Sequence, residues 1–182
     1  GLSHLLKIFK KLNLENVELN VCSSTKIYGK KFDDKLGKTY KNLFDECKNT
    51  KNVNYFDFMK NSEIIQLLKN MHIFSYPSIW PETSCIAAIE SMASGCEVVA
   101  TNLGALYETC APFGTLISFD RNLDNLEKNF SKVLVNSINN YWTKENQKKL
   151  SLQQEAINST YTWDQRSVEW INLFKKAREE KK

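Results

Sequence analysis

Histidine is scarce in this chain, with two in 182 residues, and neither His4 nor His72 has a partner at metal-ligand spacing. No metal centre can be built from such a set, and Asp33-Asp34, in a polar loop, reads as a turn. His72 opens a short apolar run and reads as a satisfied core or strand-end residue. The five cysteines, at positions 22, 47, 85, 96 and 110, are odd in number and scattered, with no CxxC pair. They read as reduced thiols of a cytoplasmic protein, mostly packing residues. No apolar run approaches membrane-spanning length, and the N-terminus shows no signal-peptide pattern. Internal repeats and low-complexity segments are missing too. No block of one charge exists: the net charge is +4, with acids interspersed among the lysines. Nothing therefore calls for nucleic acid as a partner. What remains is one domain, residues 1–182, long enough to bury a real core. The core is expected over about 1–140, with helices from about 141 onward.

The organising stretch is Met71 to Glu108, MHIFSYPSIWPETSCIAAIESMASGCEVVATNLGALYE. His72 to Tyr76 is a short apolar run closed by Pro77, which suits a buried strand. A loop through Trp80, Pro81 and Glu82 follows. Ser84 to Ser94 reads as a helix, with Ser84 as N-cap and Gly95 in the left-handed position past its end. Cys96 to Thr101 is a second strand, and Asn102 to Gly104 a turn. Strand, helix, strand makes a βαβ crossover with a parallel sheet. Ligands in such sheets bind beyond the carboxyl ends of the strands. Glu82 lies there, and the amides of Thr83, Ser84, Cys85 and Ile86 would be free donors for an anion such as a diphosphate. Glu90 lies eight positions on, a helical rise of about 12 Å and somewhat more than two turns. The two carboxylates would then share a side, one for sugar hydroxyls and one for a ribose. The plainer alternative is a pair of solvated carboxylates, Glu82 being favoured near a helix start by the dipole.

Around this unit the pattern continues. Gly1 to Asn13 is an amphipathic helix with Leu2, Leu5, Leu6, Ile8, Phe9 and Leu12 on one stripe. Asn16 to Ser23 alternates as a strand. Ser23 and Ser24 end it at the ligand edge and read as loop-forming serines. Thr25 to Leu36 reads as a loop, Lys38 to Lys48 as a helix, and Val53 to Phe58 as a strand. Asn61 or Ser62 caps a helix to Asn70. Gly114 to Phe119 is a last strand, followed by helices over Leu123 to Asn136 and Tyr141 to Asn158. A final helix starts at its N-cap Thr162 and ends in a Lys/Glu tail.

The ordered set from Tyr76 to Glu108 resembles the donor-binding motif of retaining GT-B glycosyltransferases, of the group 1, family 4-like kind. A Pro-Ser strand end, Glu, seven residues and a second Glu are followed by an Ala-Ser-Gly turn, a Val-Val-Ala-Thr strand and a Gly loop ending in Glu. The resemblance implies a Rossmann-like α/β fold, the C-terminal half of a GT-B enzyme. It implies transfer of a hexose from a UDP- or GDP-linked donor, with no metal and no cofactor. Glu82 would contact the transferred sugar as the catalytic-site carboxylate, and Glu90 would hold the ribose diol. The amides of Thr83, Ser84, Cys85 and Ile86 would meet sugar or phosphate. Phe58, Met59 and Ile64 would border the nucleobase. Asp57 stands near a position where the family usually has Gly, and reads as a solvated Asp. One departure is Thr83-Ser84-Cys85 in place of Gly-Phe-Gly, so the donor sugar cannot be copied across.

In the family a strand and a basic segment precede the first helix, and an Arg and a Lys there clamp the diphosphate. Neither is expected within this sequence, nor is the N-terminal acceptor-binding domain, which would be joined in cis or act as a separate chain. Trp170 or Phe174 would then be left on the surface. Membrane association of the intact protein stays open. So do two other readings: a nucleotide-sugar-binding partner or inactive scaffold, and a GT-B enzyme of another class such as a nucleotide-sugar 2-epimerase.

Overall fold

The computed structural model describes residues 1–180. Helix α1, Leu2–Leu12, ends at Asn13, which adopts a left-handed φ of 45° and donates its N–H to the Phe9 carbonyl. Strand β1, Leu19–Val21, leads through a short 3-10 helix, Thr25–Tyr28, into α2, Lys30–Asn49. Then follow β2, Val53–Tyr55; α3, Asn61–Leu68; β3, Ile73–Tyr76; α4, Ile86–Ala93; and β4, Glu97–Asn102. The chain closes with α5, Leu106–Cys110; β5, Thr115–Ser118; α6, Leu123–Asn140; α7, Lys144–Thr160; and α8, Trp163–Glu179.

All strand pairs are parallel, and they form two sheets: β1-β2, and β3-β4-β5. The doubly wound order places a first strand between β1 and β3. Residues 1–180 supply none, and the facing edges of β1 and β3 pair with no strand among the described residues. Central β4 is buried along five of its six residues, whereas every residue of β3 is only half-buried.

Helix α1 bridges the two sheets. Leu6 and Phe9 pack with Val21, Cys47 and Val53 under β1 and β2. Ile8 packs with Val99, Ile117, Phe130 and Leu134 over the other sheet and α6. On the opposite face, Cys85, Ala88 and Met92 of the α4 segment join Val98, Ala100, Leu106, Cys110 and Ile157. Four of the five cysteines are buried, so they do serve as packing residues.

Several expected boundaries move. The segment expected as a loop up to Leu36 is mostly helical, because only Gly29, at φ 86°, interrupts it. Gly37 does not break α2, since Asp33 and Thr25 close around it. The strands expected over Asn16 to Ser23 and Val53 to Phe58 shrink to three residues each. Left-handed Asn52 and Asp57 end the extended run on either side of β2. Helix α7 begins at Lys144, not Tyr141; Thr143 caps it by accepting from the Asn146 amide. Tyr141 and Trp142 instead meet His72 edge-on, ring centroids 4.9 and 5.3 Å away. His72 is thus a strand-end residue. Helix α5 lies in what reads from sequence as a loop. Thr162 caps α8 as expected. Along α8 no residue is buried, and Trp163, Val168, Trp170, Ile171, Leu173 and Phe174 are all exposed. The last two residues of the Lys/Glu tail lie outside the described residues. No described helix is long and apolar enough to cross a membrane.

A buried carboxylate holds the amino end of the central sheet. Glu97 Oε1 accepts from Ser137 Oγ at 2.9 Å and Thr115 Oγ1 at 3.3 Å, and its Oε2 from Asn146 Nδ2 at 3.2 Å. It ties β4 to β5, α6 and the start of α7. Replacing it by Ala strands those donors, and Glu97→Ala is expected to lower unfolding free energy by about 2–4 kcal/mol in denaturant melts.

A second tie joins α1 to α6, where buried His4 Nδ1 lies 2.6 Å from Glu127 Oε1 and Lys7 Nζ 3.3 Å from it. Burial alone would raise the Glu127 carboxyl, but the His4 and Lys7 hydrogen bonds outweigh it and hold it below its ordinary value of 4.5. A carboxyl depressed in the folded state stabilises above its unfolded value, and that contribution disappears as pH falls through the folded one. Wild-type stability should therefore drop more steeply than that of Glu127→Gln as pH is lowered past 4.5, read by thermal melts across acid pH.

Candidate functional site

The carboxyl end of β3 is where the site residues gather. Pro77 and Ser78 are buried there, and Ser78's carbonyl accepts from Thr101 Oγ1 of β4 at 2.6 Å. The start of α1 abuts the same point: a Cβ on Gly1 would lie 2.2 Å from the Pro77 carbonyl oxygen. The loop from Ser78 to Cys85 then crosses to α4.

Glu82 is held at backbone and side chain. Its carbonyl accepts from the Ala105 amide at 2.7 Å, and it forms a bridge with Gly104 of the loop after β4. Gly104 has φ +65°, and a Cβ there would lie 2.4 Å from the Glu82 carbonyl oxygen. Only glycine tolerates both the conformation and the approach. The Glu82 Oε1 accepts from Tyr76 Oη at 2.6 Å. Burial, then this hydrogen bond to Glu82, pushes the Tyr76 phenol well above its ordinary value, so it stays a protonated donor.

Helix α4 begins at Ile86 with Cys85 as its N-cap, and Ser84 makes no cap. The expected helix over Ser84 to Ser94 is therefore shorter, and the rise of eight helical positions does not separate Glu82 from Glu90. Thr83 and Ser84 lie in the loop, Cys85 and Ile86 at the helix start. The amides of all four donate to no protein acceptor among the described residues. Their side chains diverge: Cys85 is buried in the core, its thiol pushed up by that burial, while Thr83, Ser84 and Ile86 are exposed.

The other end of α4 is closed twice. Gly95, φ 91°, and Cys96 donate to the Met92 and Ser91 carbonyls at 3.1 and 2.9 Å, a Schellman motif. Helix α7 adds Gln153 to the Met92 and Cys96 carbonyls, and Gln154 and Asn158 to that of Ala93. These bonds fix where Glu90 stands. Its Oε1 accepts from Asn61 Nδ2, the first residue of α3, at 2.9 Å. Glu90 thus lies beside the start of the helix that carries Ile64 and follows Phe58 and Met59. Phe58 is exposed, Met59 and Ile64 half-buried.

Asp57 is ion-paired with Lys26, and hydrogen bonds from Lys26 and then Ser24 hold its carboxyl below the ordinary range. It is therefore not simply solvated. Its φ of 53° explains why glycine would be at home there. Ser24 caps the 3-10 helix by accepting from the Lys26 amide, a loop-forming role as expected. A cavity of about 610 Å³ beside it, lined in part by Lys26, Phe44, Lys48, Tyr55 and Asp57, reaches none of Glu82, Glu90, Phe58, Met59 or Ile64. The described residues hold no group of three or more His, Cys, Asp or Glu able to share a metal ion.

Comparison with known proteins decides the family. The family model described as "Glycosyl transferases group 1" matches residues 1–150. The chain belongs to the group 1 glycosyltransferases. Among solved structures, a glycosyltransferase from Rickettsia africae ESF-5 has a TM-score of 0.74 at 18% identity, over 97% of this chain and 44% of that one. Sucrose-phosphate synthase from Thermosynechococcus elongatus has a TM-score of 0.70 at 15% identity, over 99% and 43%. HepE from Anabaena, solved in complex with UDP-glucose, has a TM-score of 0.61 at 17% identity, over 87% and 40%. These likenesses show the fold, the C-terminal Rossmann-like half of GT-B enzymes, and the glycosyltransferase domain spans less than half of each of those chains. The sequence finds no match among curated proteins.

The sequence places Tyr76 at a strand end, Asn61 near a helix start and Gly104 in a turn, but not their contacts with Glu82 and Glu90. For Gly104 a signal was present, because a glycine after a strand that returns to the ligand edge marks a close backbone approach. Gly104→Ala is expected to cost about 1–3 kcal/mol of stability, measured by denaturant unfolding, and to shift the Glu82 backbone resonances.

Proposed function

We propose that this glycosyltransferase domain is the nucleotide-sugar donor-binding half of a retaining enzyme. It transfers a hexose from a UDP- or GDP-linked donor to an acceptor held by another domain. Glu82 contacts the transferred sugar and Glu90 the ribose diol. The amides of Thr83, Ser84, Cys85 and Ile86 meet the sugar or the diphosphate, and Phe58, Met59 and Ile64 border the base. The leaving diphosphate is stabilised by these amides and by basic residues, with no metal and no cofactor. The protein works in the cytoplasm.

The observation that carries this reading is the placement of the two carboxylates. Glu82 lies in the loop beyond the carboxyl end of β3, held by Tyr76, and Glu90 lies within α4, held by Asn61 at the start of α3; the amides between them in sequence, at the α4 start, donate to no acceptor among the described residues. Support for a companion acceptor-binding domain, in cis or as a separate chain, comes from α8. Its exposed Trp170, Ile171, Leu173 and Phe174 form apolar surface that a soluble helix normally covers. The unpaired edges of β1 and β3 support a further strand between them. The second reading, a nucleotide-sugar-binding partner or inactive scaffold, is favoured by Thr83-Ser84-Cys85, whose side chains stand where the resembling enzymes have Gly-Phe-Gly.

Calorimetric titration with UDP-glucose, UDP-N-acetylglucosamine and GDP-mannose tests the proposal. One donor should bind, and Glu90→Ala should weaken it by about 1–3 kcal/mol through loss of paired hydroxyl contacts. Equal binding by Glu90→Ala would remove that residue from the ribose. Failure of all three donors to bind when the basic segment and the companion domain are also present would sink the donor-site reading. Binding with no transfer in the presence of an acceptor domain would favour the scaffold.

A further inference from the structure

We propose that Tyr76 is a positioning residue for Glu82: its hydroxyl holds one carboxylate oxygen and leaves the other for a hydroxyl of the donor sugar. The inference rests on the donor-site reading and adds to it a residue outside the Glu-to-Glu motif.

Tyr76 is the last residue of β3, so its side chain shares a face with Phe74. The two rings stack with centroids 5.4 Å apart and planes 17° from parallel. Both pack against the core formed by Cys85, Ala88 and Met92. The ring is therefore held by packing on a strand, a rigid element, rather than by the loop it serves. From that position the hydroxyl reaches forward to Glu82 Oε1 at 2.6 Å. The Glu82 backbone is fixed separately by Gly104 and Ala105. A side chain pinned at its backbone and at one carboxylate oxygen has lost most of its rotamer freedom before any ligand arrives. Its second oxygen, Oε2, has no hydrogen-bond partner among the described residues. That oxygen can accept from a substrate hydroxyl without first breaking a protein contact, and preorganisation of this kind favours binding.

A residue that acts only through Glu82 affects the sugar and leaves the nucleotide alone. The test is calorimetric titration of UDP and of UDP-glucose into wild type, Tyr76→Phe, Glu82→Ala and the double variant. If the base proves to be guanine, GDP and GDP-mannose replace them. Tyr76→Phe keeps the ring and its packing. It should leave UDP affinity within about twofold and weaken UDP-glucose by about 5–10-fold, the scale of one hydrogen bond. In the Glu82→Ala background it should have no further effect on either ligand. Equal weakening of UDP and UDP-glucose would overturn the proposal in favour of a structural role. So would a full additional loss in the Glu82→Ala background, and so would UDP-glucose affinity that Tyr76→Phe leaves unchanged. Wild type that binds no UDP or GDP at all when the basic segment and the companion domain are also present overturns the donor-site reading itself, and the UDP arm separates that outcome from a failure confined to Tyr76.

Discussion

Helix α1 buries one apolar stripe against two sheets that share no ladder. Leu6 and Phe9 belong to the cluster under β1 and β2, Ile8 to the cluster over β3-β4-β5. Burial of a Leu, Ile or Phe side chain is worth about 1.5–3 kcal/mol. This helix therefore supplies much of the free energy that keeps the sheets in one orientation. His4 and Lys7 extend the same link to Glu127 of α6. The start of the helix is thereby set against Pro77 and Ser78, at the end of the strand where the site begins.

The second fixed point is α4. Its last carbonyls are taken by Gly95, Cys96 and three amide side chains of α7, so neither its rotation nor its height is free. Its first amides are left open. One end is satisfied by protein and the other is available to an anion, which suits a helix placed at a diphosphate. The neighbours of the two carboxylates follow the same logic. Tyr76 stands on a strand and Asn61 on a helix, and each aims a neutral donor at one oxygen of a glutamate. The buried Glu97 network keeps the far end of β4 in place. That cluster lies at the amino ends of the strands, away from the ligand edge, and its role is structural.

Much of this was legible in the residues. The Met71 to Glu108 stretch carries its own punctuation: Pro77 closes a strand, Gly95 ends a helix and Gly104 turns the chain back. Each of those is a backbone requirement that a single residue type meets, so a linear reading recovers it. The loop expected before Leu36 was misleading because its Gly and Lys composition resembles a loop. Helix α2 forms there despite Gly37, with Asp33 and Thr25 packed around the missing side chain. Helix α7 looked merely polar, since nothing in its sequence shows that Gln153, Gln154 and Asn158 meet another helix's carbonyls. His4 looked unpartnered because Glu127, its partner, lies 123 positions along the chain.

The sequence by itself determined the α/β class, the order of its central elements and the two glutamates at a strand-to-helix crossover. All of these depend on short-range spacing, which periodicity and turn residues encode directly. The tertiary structure alone decided what holds those glutamates, which side chains of α7 close the end of α4, and that the strands form two sheets rather than one. It extended the exposure expected of Trp170 or Phe174 to Trp163, Val168, Ile171 and Leu173 of α8 as well. Those outcomes depend on contacts between residues tens of positions apart, and a one-dimensional pattern carries no record of which distant donor meets which acceptor.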